Sequence, residues 1–175
     1  MVASKLNKLR DYLEKRQTRE ALVIRRGRIV AEWYWRGATR DTPLHVFSVT
    51  KSMTSSAMGL LVGDGMLKLD QSASDFIPAW KDDGRTAITI RHLVSMTSGT
   101  RNEEIGYSFT QTQLAQSLKQ PLGSTPGTKW EYNNIARNAL GEIVAKASGF
   151  DLGDFLQKRL YAPHGVKQPC ESEIV

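Results

Sequence analysis

The sequence predicts a mixed α/β fold of the α+β kind, in which a small sheet and a set of helices occupy separate stretches of the chain. Residues 20–36 contain two runs of β-branched and aromatic residues around Gly27, the pattern of a β-hairpin. Residues 46–165 show apolar residues at helical spacing, interrupted by turn residues. With 175 residues in all, we expect one domain spanning 1–175, opened by an N-terminal helix over 1–19.

The N-terminal helix is predicted from Leu6, Leu9 and Leu13, which recur at helical spacing. Residues 1–28 hold nine Lys/Arg and three Asp/Glu, while the remainder holds fifteen of each, so the net charge of +6 comes from this segment. Aromatic residues that could stack on bases do not alternate with these charges. The charges therefore indicate the solvated face of a helix and argue against a nucleic-acid partner, which stays a distant alternative.

The hairpin over residues 20–36 is too small to be stable alone, because two strands in water are only marginally stable. We therefore expect further strands or helices to cover it. Unpaired strand edges invite pairing with other chains. The hairpin predicts a risk of self-association through its exposed edge.

The mainly helical part begins with a helix that has Ser48 at its N-terminus. Its following residues are apolar on nearly every side, which predicts a buried central helix. Further helices are predicted over residues 89–96, 110–118, 134–148 and 151–160.

Composition limits where the protein can be located and which cysteine-based sites it can form. No apolar run approaches the roughly 20 residues of a membrane span, and the first residues lack the apolar segment of a signal peptide. We expect a cytoplasmic protein without a membrane partner, although a secreted form that has lost its leader would look the same. Cys170 is the single cysteine, which excludes an internal disulfide and a multi-cysteine metal site.

Other catalytic motifs do not fit. The three histidines, His45, His92 and His164, lack metal-ligand spacing, and no G-x-S-x-G elbow occurs. The glycine-containing stretch 123–129 lacks the adjacent Gly-Lys of a phosphate loop. We expect neither a metal nor a cofactor.

One pair of short motifs does suggest chemistry. Ser48 lies three residues before Lys51, so both side chains fall on one helical face, and Tyr132 with Asn134 forms a Y-x-N motif. These groups suit a serine acyl-transfer enzyme that works without histidine. With 14 serines and 11 lysines, about one S-x-x-K pair is expected by chance, so the neighbouring sequence must carry the interpretation.

The surrounding sequence contains five blocks in a characteristic order. They are Phe47-Ser48-Val49-Thr50-Lys51-Ser52, residues 64–70, residues 90–99, residues 126–134 and residues 140–144. In this order and rough spacing, residues 20–165 resemble the serine β-lactamase-like hydrolases. That family includes class C β-lactamases, D-alanyl-D-alanine carboxypeptidases, related esterases and aminohexanoate-dimer hydrolases. The resemblance implies a β-lactamase/transpeptidase-like fold.

The resemblance also implies roles for four residues. Ser48 matches the nucleophile that forms an acyl-enzyme, and Lys51 matches the lysine that assists removal of its proton. Tyr132 matches the tyrosine that relays protons, and Asn134 matches the amide that orients lysine and substrate. The implied activity is that of a serine hydrolase acting on a small-molecule ester, amide or β-lactam. Whether Lys51 or Tyr132 is the base stays open.

The sequence departs from the family in one element. The resemblance implies a K-T-G or H-T-G segment on a strand beyond the second motif, and neither triplet occurs. It also implies C-terminal strands that supply one oxyanion-hole donor, and a closing helix. We therefore expect an N-terminal portion of a longer hydrolase, with impaired activity. The alternative is a non-catalytic remnant or binding module that retains the helical half of the fold.

Overall fold

A computed structural model describes residues 3–101 and 111–166. The chain folds into two compact units, Met1–His45 and Val46–Val175. Cys170 lies outside the described residues. Over the two described ranges, no helix is both long and apolar enough to cross a membrane.

The described residues of the first unit form a helix and a hairpin, as predicted. Helix α1 spans Ala3–Lys15 and is followed by strand β1 (Glu20–Arg25) and strand β2 (Arg28–Tyr34). The helix ends earlier than the predicted 19 because the chain turns at Gln17, whose φ is +62°. Residues with positive φ cannot continue a right-handed helix.

The hairpin is an antiparallel pair joined by a two-residue turn. Glu20 pairs with Tyr34 at one end and Arg25 with Arg28 at the other, with an irregularity in register after Val23. The turn residues Arg26 and Gly27 both have positive φ, which is the geometry that matches the twist of a tight hairpin. Self-association through this edge stays a prediction.

The second unit is mainly helical, as predicted. Its α-helices are α2 (Thr50–Gly63), α3 (Ile90–Val94), α4 (Gln111–Lys119), α5 (Asn134–Ser148) and α6 (Leu152–Leu156). Apolar side chains of α2, α3, α5 and α6 meet in one core with those of the connecting segments. The largest fully buried apolar members are Trp80, Met58, Leu61, Ile77, Ile88, Ile90, Leu93, Ile143, Leu156 and Val144.

Helix α2 is buried on one face only, so the expectation of burial on nearly every side is wrong. Thr54, Ala57, Met58 and Leu61 are its buried residues. The opposite face is exposed and carries small residues: Ser52, Ser55, Ser56, Gly59 and Gly63. Serine and glycine add little apolar area, so burying this face would stabilise the unit little.

Two predicted helices are shorter than expected. The helix predicted over 89–96 ends at Val94, and Met96 has a φ of +58°. The helix predicted over 151–160 is α-helical only from Leu152 to Leu156 and then widens into a π-helix over Gln157–Tyr161. Helix α5 has the predicted bounds, with Gly149 in the left-handed conformation after its last residue.

Candidate active site

Ser48 lies in a tight turn that leads into α2. A 3-10 helix spans Phe47–Val49, and α2 begins at Thr50. Ser48 therefore lies just before α2, whereas the sequence predicts it at the N-terminus of that helix. Phe47 has a φ of +46°, an uncommon conformation for a bulky residue that is found mostly at functional sites and turns. Its carbonyl oxygen accepts a hydrogen bond of 2.7 Å from the Thr50 hydroxyl, which holds the turn. The Ser48 side chain is thereby presented at an exposed position.

Lys51, in the first turn of α2, brings the four predicted residues together. Its Nζ donates to Tyr132 Oη at 2.8 Å, to Asn134 Oδ1 at 2.8 Å and to Ser48 Oγ at 3.2 Å. A lysine ammonium has three N–H donors, and these three contacts use all of them. The positive charge is therefore held at the centre of the cluster.

Tyr132 completes the cluster through its phenol. Its Oη lies 2.6 Å from Ser48 Oγ, and Lys51 Nζ lies 4.6 Å from the centre of its ring. The hydrogen bond from Lys51, and then the one with Ser48, holds the pKa of Tyr132 below its ordinary value. A lowered pKa makes the phenolate more available to accept a proton at neutral pH.

Asn133 is a residue of the site that the sequence reasoning missed. It is 2% exposed, and its Oδ1 accepts from the backbone N–H groups of Ile135 and Ala136, the first turn of α5. It therefore caps the helix that carries Asn134. An asparagine directly before a run of helical spacing is an N-cap signal, so this role was available in the sequence.

A small cavity lies behind Lys51, between α2, α3 and α5. Its volume is about 30 Å³, and Thr54, Asn133 and Leu140 are among the residues that line it with Lys51. That volume holds a water molecule or two but not a substrate.

Trp130, two residues before Tyr132, is 64% exposed and so is not a core residue. In the part of the chain that the structure describes, no three His, Cys, Asp or Glu residues are grouped so as to hold a metal ion.

Comparison with known proteins assigns the chain to a family. The family model described as Beta-lactamase matches residues 7–169, which is most of the chain.

The chain belongs to the beta-lactamase family.

Two similar relatives are, by their names, a methylbutanoyltransferase and an esterase. ML-236A carboxylate methylbutanoyltransferase of Penicillium citrinum is 26% identical over 154 residues, and esterase EstB of Burkholderia gladioli is 28% identical over 149 residues. The matches cover 72% and 73% of this chain but only 37% and 38% of those proteins. The chain thus spans less than two fifths of these relatives' lengths. The predicted resemblance to an N-terminal portion of such proteins is confirmed.

A solved structure supports the fold. The octameric penicillin-binding protein homologue from Pyrococcus abyssi superposes with a TM-score of 0.82 at 21% identity, covering 96% of this chain and 44% of that one. The predicted β-lactamase/transpeptidase-like fold is confirmed.

Proposed function

We propose that Ser48, Lys51, Tyr132 and Asn134 form the acylation site of a serine hydrolase that acts on an ester, amide or β-lactam bond. The observation that carries the proposal is the closed set of contacts among these four side chains, none longer than 3.2 Å. Serine is a weak nucleophile until a neighbouring group takes its proton. The cluster offers two such groups, the phenolate of Tyr132 and the neutral amine form of Lys51.

Tyr132 is the better placed of the two to take that proton. Its Oη is 2.6 Å from Ser48 Oγ, whereas Lys51 Nζ is 3.2 Å away. Lys51 also donates to Tyr132, which stabilises the phenolate and lowers the pKa of Tyr132. A base whose pKa is nearer the working pH transfers protons more effectively.

The reaction then follows in two steps. Ser48 Oγ attacks the substrate carbonyl carbon while its proton passes to Tyr132 Oη, and the resulting oxyanion collapses as the leaving group takes that proton. The product is an ester between the acyl group and Ser48. In the second step, water attacks this ester, Tyr132 accepts the water proton and returns it to Ser48, and the free acid leaves. An alcohol in place of water would give acyl transfer.

Lys51 and Asn134 support both steps without leaving their positions. The ammonium stays hydrogen-bonded to both oxygens between which the proton moves, so it stabilises negative charge on either one. Asn134 Oδ1 accepts the third ammonium proton at 2.8 Å. That bond fixes the direction of the lysine side chain.

The test is covalent acylation of the purified chain with p-nitrophenyl butyrate, followed by peptide mapping. We expect one butyryl group on Ser48 and none there in Ser48→Ala. Ser52→Ala is the matched control, because Ser52 is an exposed serine in the first turn of α2 that makes no side-chain contact with the cluster. A folded chain whose Ser48 resists acylation would support the non-catalytic alternative.

A further inference from the structure

The middle residue of the Tyr132-Asn133-Asn134 motif uses every polar atom of its side chain. Its Oδ1 accepts from Ile135 N at 2.8 Å and from Ala136 N at 3.2 Å. Its Nδ2 donates to the Thr100 carbonyl oxygen at 2.9 Å and to the Thr100 hydroxyl at 3.0 Å. An asparagine amide has two donors and an acceptor oxygen with two lone pairs. All of this capacity is used in a site that is almost completely buried.

Thr100 is itself held firmly. Its hydroxyl lies 2.9 Å from the hydroxyl of Ser98, and both side chains are buried, at 4% and 1% exposure. Its backbone pairs with Leu122 in an antiparallel bridge. Asn133 therefore binds a residue that is held in place through both its side chain and its backbone.

The backbone leading to the motif is attached to the same segment. Gly127 N donates to Thr97 O at 2.8 Å, and Glu131 N donates to Met96 O at 3.0 Å. After Glu131, the side chain of Asn133 continues this attachment through its two bonds to Thr100. Tyr132 precedes Asn133 and Asn134 follows it, and the side chains of both neighbours accept hydrogen bonds from Lys51.

We infer that Asn133 is a positioning residue of the site: through Thr100, it holds the Tyr132 phenol and the Asn134 amide within hydrogen-bonding distance of Lys51. Its effect on catalysis rests on the function proposed above. Its effect on the geometry does not, because the contacts are present without a substrate.

The chemistry of the position favours asparagine over the other common N-cap residues. Serine and threonine can cap a helix with one oxygen, but one hydroxyl cannot also supply two N–H donors to Thr100. Aspartate would cap equally well, but its second carboxylate oxygen would face the Thr100 carbonyl oxygen, where the amide now donates. Among these residues, asparagine alone both caps α5 and donates across to the fixed segment.

The experiment compares Asn133→Ser with Asp151→Ala by two measurements. Asn133→Ser retains a capping oxygen and loses both donors to Thr100. Asp151 caps α6 by accepting from Asp154 N at 2.8 Å, and it is not a member of the cluster. The first measurement is the ionisation of Tyr132 by NMR with ring-labelled tyrosine, in which Tyr132→Phe identifies its signal among the five tyrosines. The second is the rate of Ser48 acylation by p-nitrophenyl butyrate.

In Asn133→Ser we expect the pKa of Tyr132 to rise toward its ordinary value, because the hydrogen bond from Lys51 is the main cause that lowers it. We expect acylation to fall at least about tenfold, a loss typical of a displaced catalytic group. Asp151→Ala should change neither quantity. An unchanged Tyr132 titration in Asn133→Ser would overturn the inference and leave Asn133 as a helix cap only.

Two further outcomes distinguish a failure of this inference from a failure of the proposed function and from a variant that does not fold. If the wild-type chain does not acylate but the Tyr132 titration still responds to Asn133→Ser, the proposed function fails and the positioning role stands. If Asn133→Ser does not fold, Asn133→Thr replaces it, because threonine fills more of the buried space, keeps a capping oxygen for α5 and also loses both donors to Thr100. A Tyr132 titration unchanged in Asn133→Thr would then overturn the inference.

Discussion

Replacing Tyr132 with phenylalanine tests which group takes the serine proton. The change removes the oxygen that lies 2.6 Å from Ser48 Oγ and 2.8 Å from Lys51 Nζ, and it keeps the ring. Loss of a general base typically costs about 10²- to 10⁴-fold in rate, or about 3–5 kcal/mol of transition-state stabilisation. Lys51 remains 3.2 Å from Ser48 Oγ, and in its neutral amine form it can accept the serine proton in place of Tyr132. We therefore expect a loss near the lower limit, about 10²-fold.

The pH dependence of the acylation rate is a second test of Tyr132 as the base. The base must be ionised to accept a proton, so wild-type acylation should fall as the pH drops through the lowered pKa of Tyr132. That limb of the profile should disappear in Tyr132→Phe. The assay is single-turnover acylation by p-nitrophenyl butyrate, followed by intact-protein mass at a series of pH values. Tyr12→Phe is the control, because Tyr12 is an exposed tyrosine on α1, outside the unit that holds the cluster.

A Tyr132→Phe variant that acylates Ser48 within about threefold of the wild-type rate, with the same pH limb, would refute this reasoning. Lys51 would then be the base. Loss of acylation in Lys51→Met with retention in Tyr132→Phe would make that assignment direct.

Two predictions concern stability and are checked by urea denaturation. Leu61→Ala, at a side chain that is 0% exposed, should lower the free energy of unfolding by about 3–5 kcal/mol because it opens a cavity, whereas Val62→Ala, at the neighbouring residue that is 36% exposed, should cost far less. Gly99→Ala should destabilise more than Gly149→Ala. Both glycines have left-handed φ values, +75° and +77°, but a Cβ at Gly99 would collide with the Ser124 carbonyl oxygen while one at Gly149 would meet open space. The left-handed conformation alone costs about 1–2 kcal/mol. Equal losses at the two glycines would contradict the predicted collision.

Helix α5 shows what local signals can predict. Its bounds, Asn134 to Ser148, follow from the helical spacing of its apolar residues and from Gly149 after its last turn. Both signals act within a few residues, so no distant contact is needed to interpret them. The start of α2 is harder to predict, because the turn at Phe47 takes a conformation that its residue type disfavours.

The burial of α2 illustrates a limit of composition. A helix with many apolar residues is expected to be buried on nearly every side, yet the face that carries its serines and glycines is exposed. The core closes over Thr54, Ala57, Met58 and Leu61, where α5 and α6 supply apolar partners. Which face is covered depends on the partner helices, and this information is not contained in the helix itself.

For the site, the candidate residues can be named without the structure: the spacing of Ser48 and Lys51 corresponds to one helical turn, and the resemblance carried by the ordered blocks selects Tyr132 and Asn134. The three hydrogen bonds that Lys51 donates, and the bond from Asn133 to Thr100, are seen only in the folded chain. Spacing within a helix is fixed by its 3.6-residue period. A hydrogen bond between residues far apart in the chain depends on how the intervening residues pack, and that packing is a property of the whole fold.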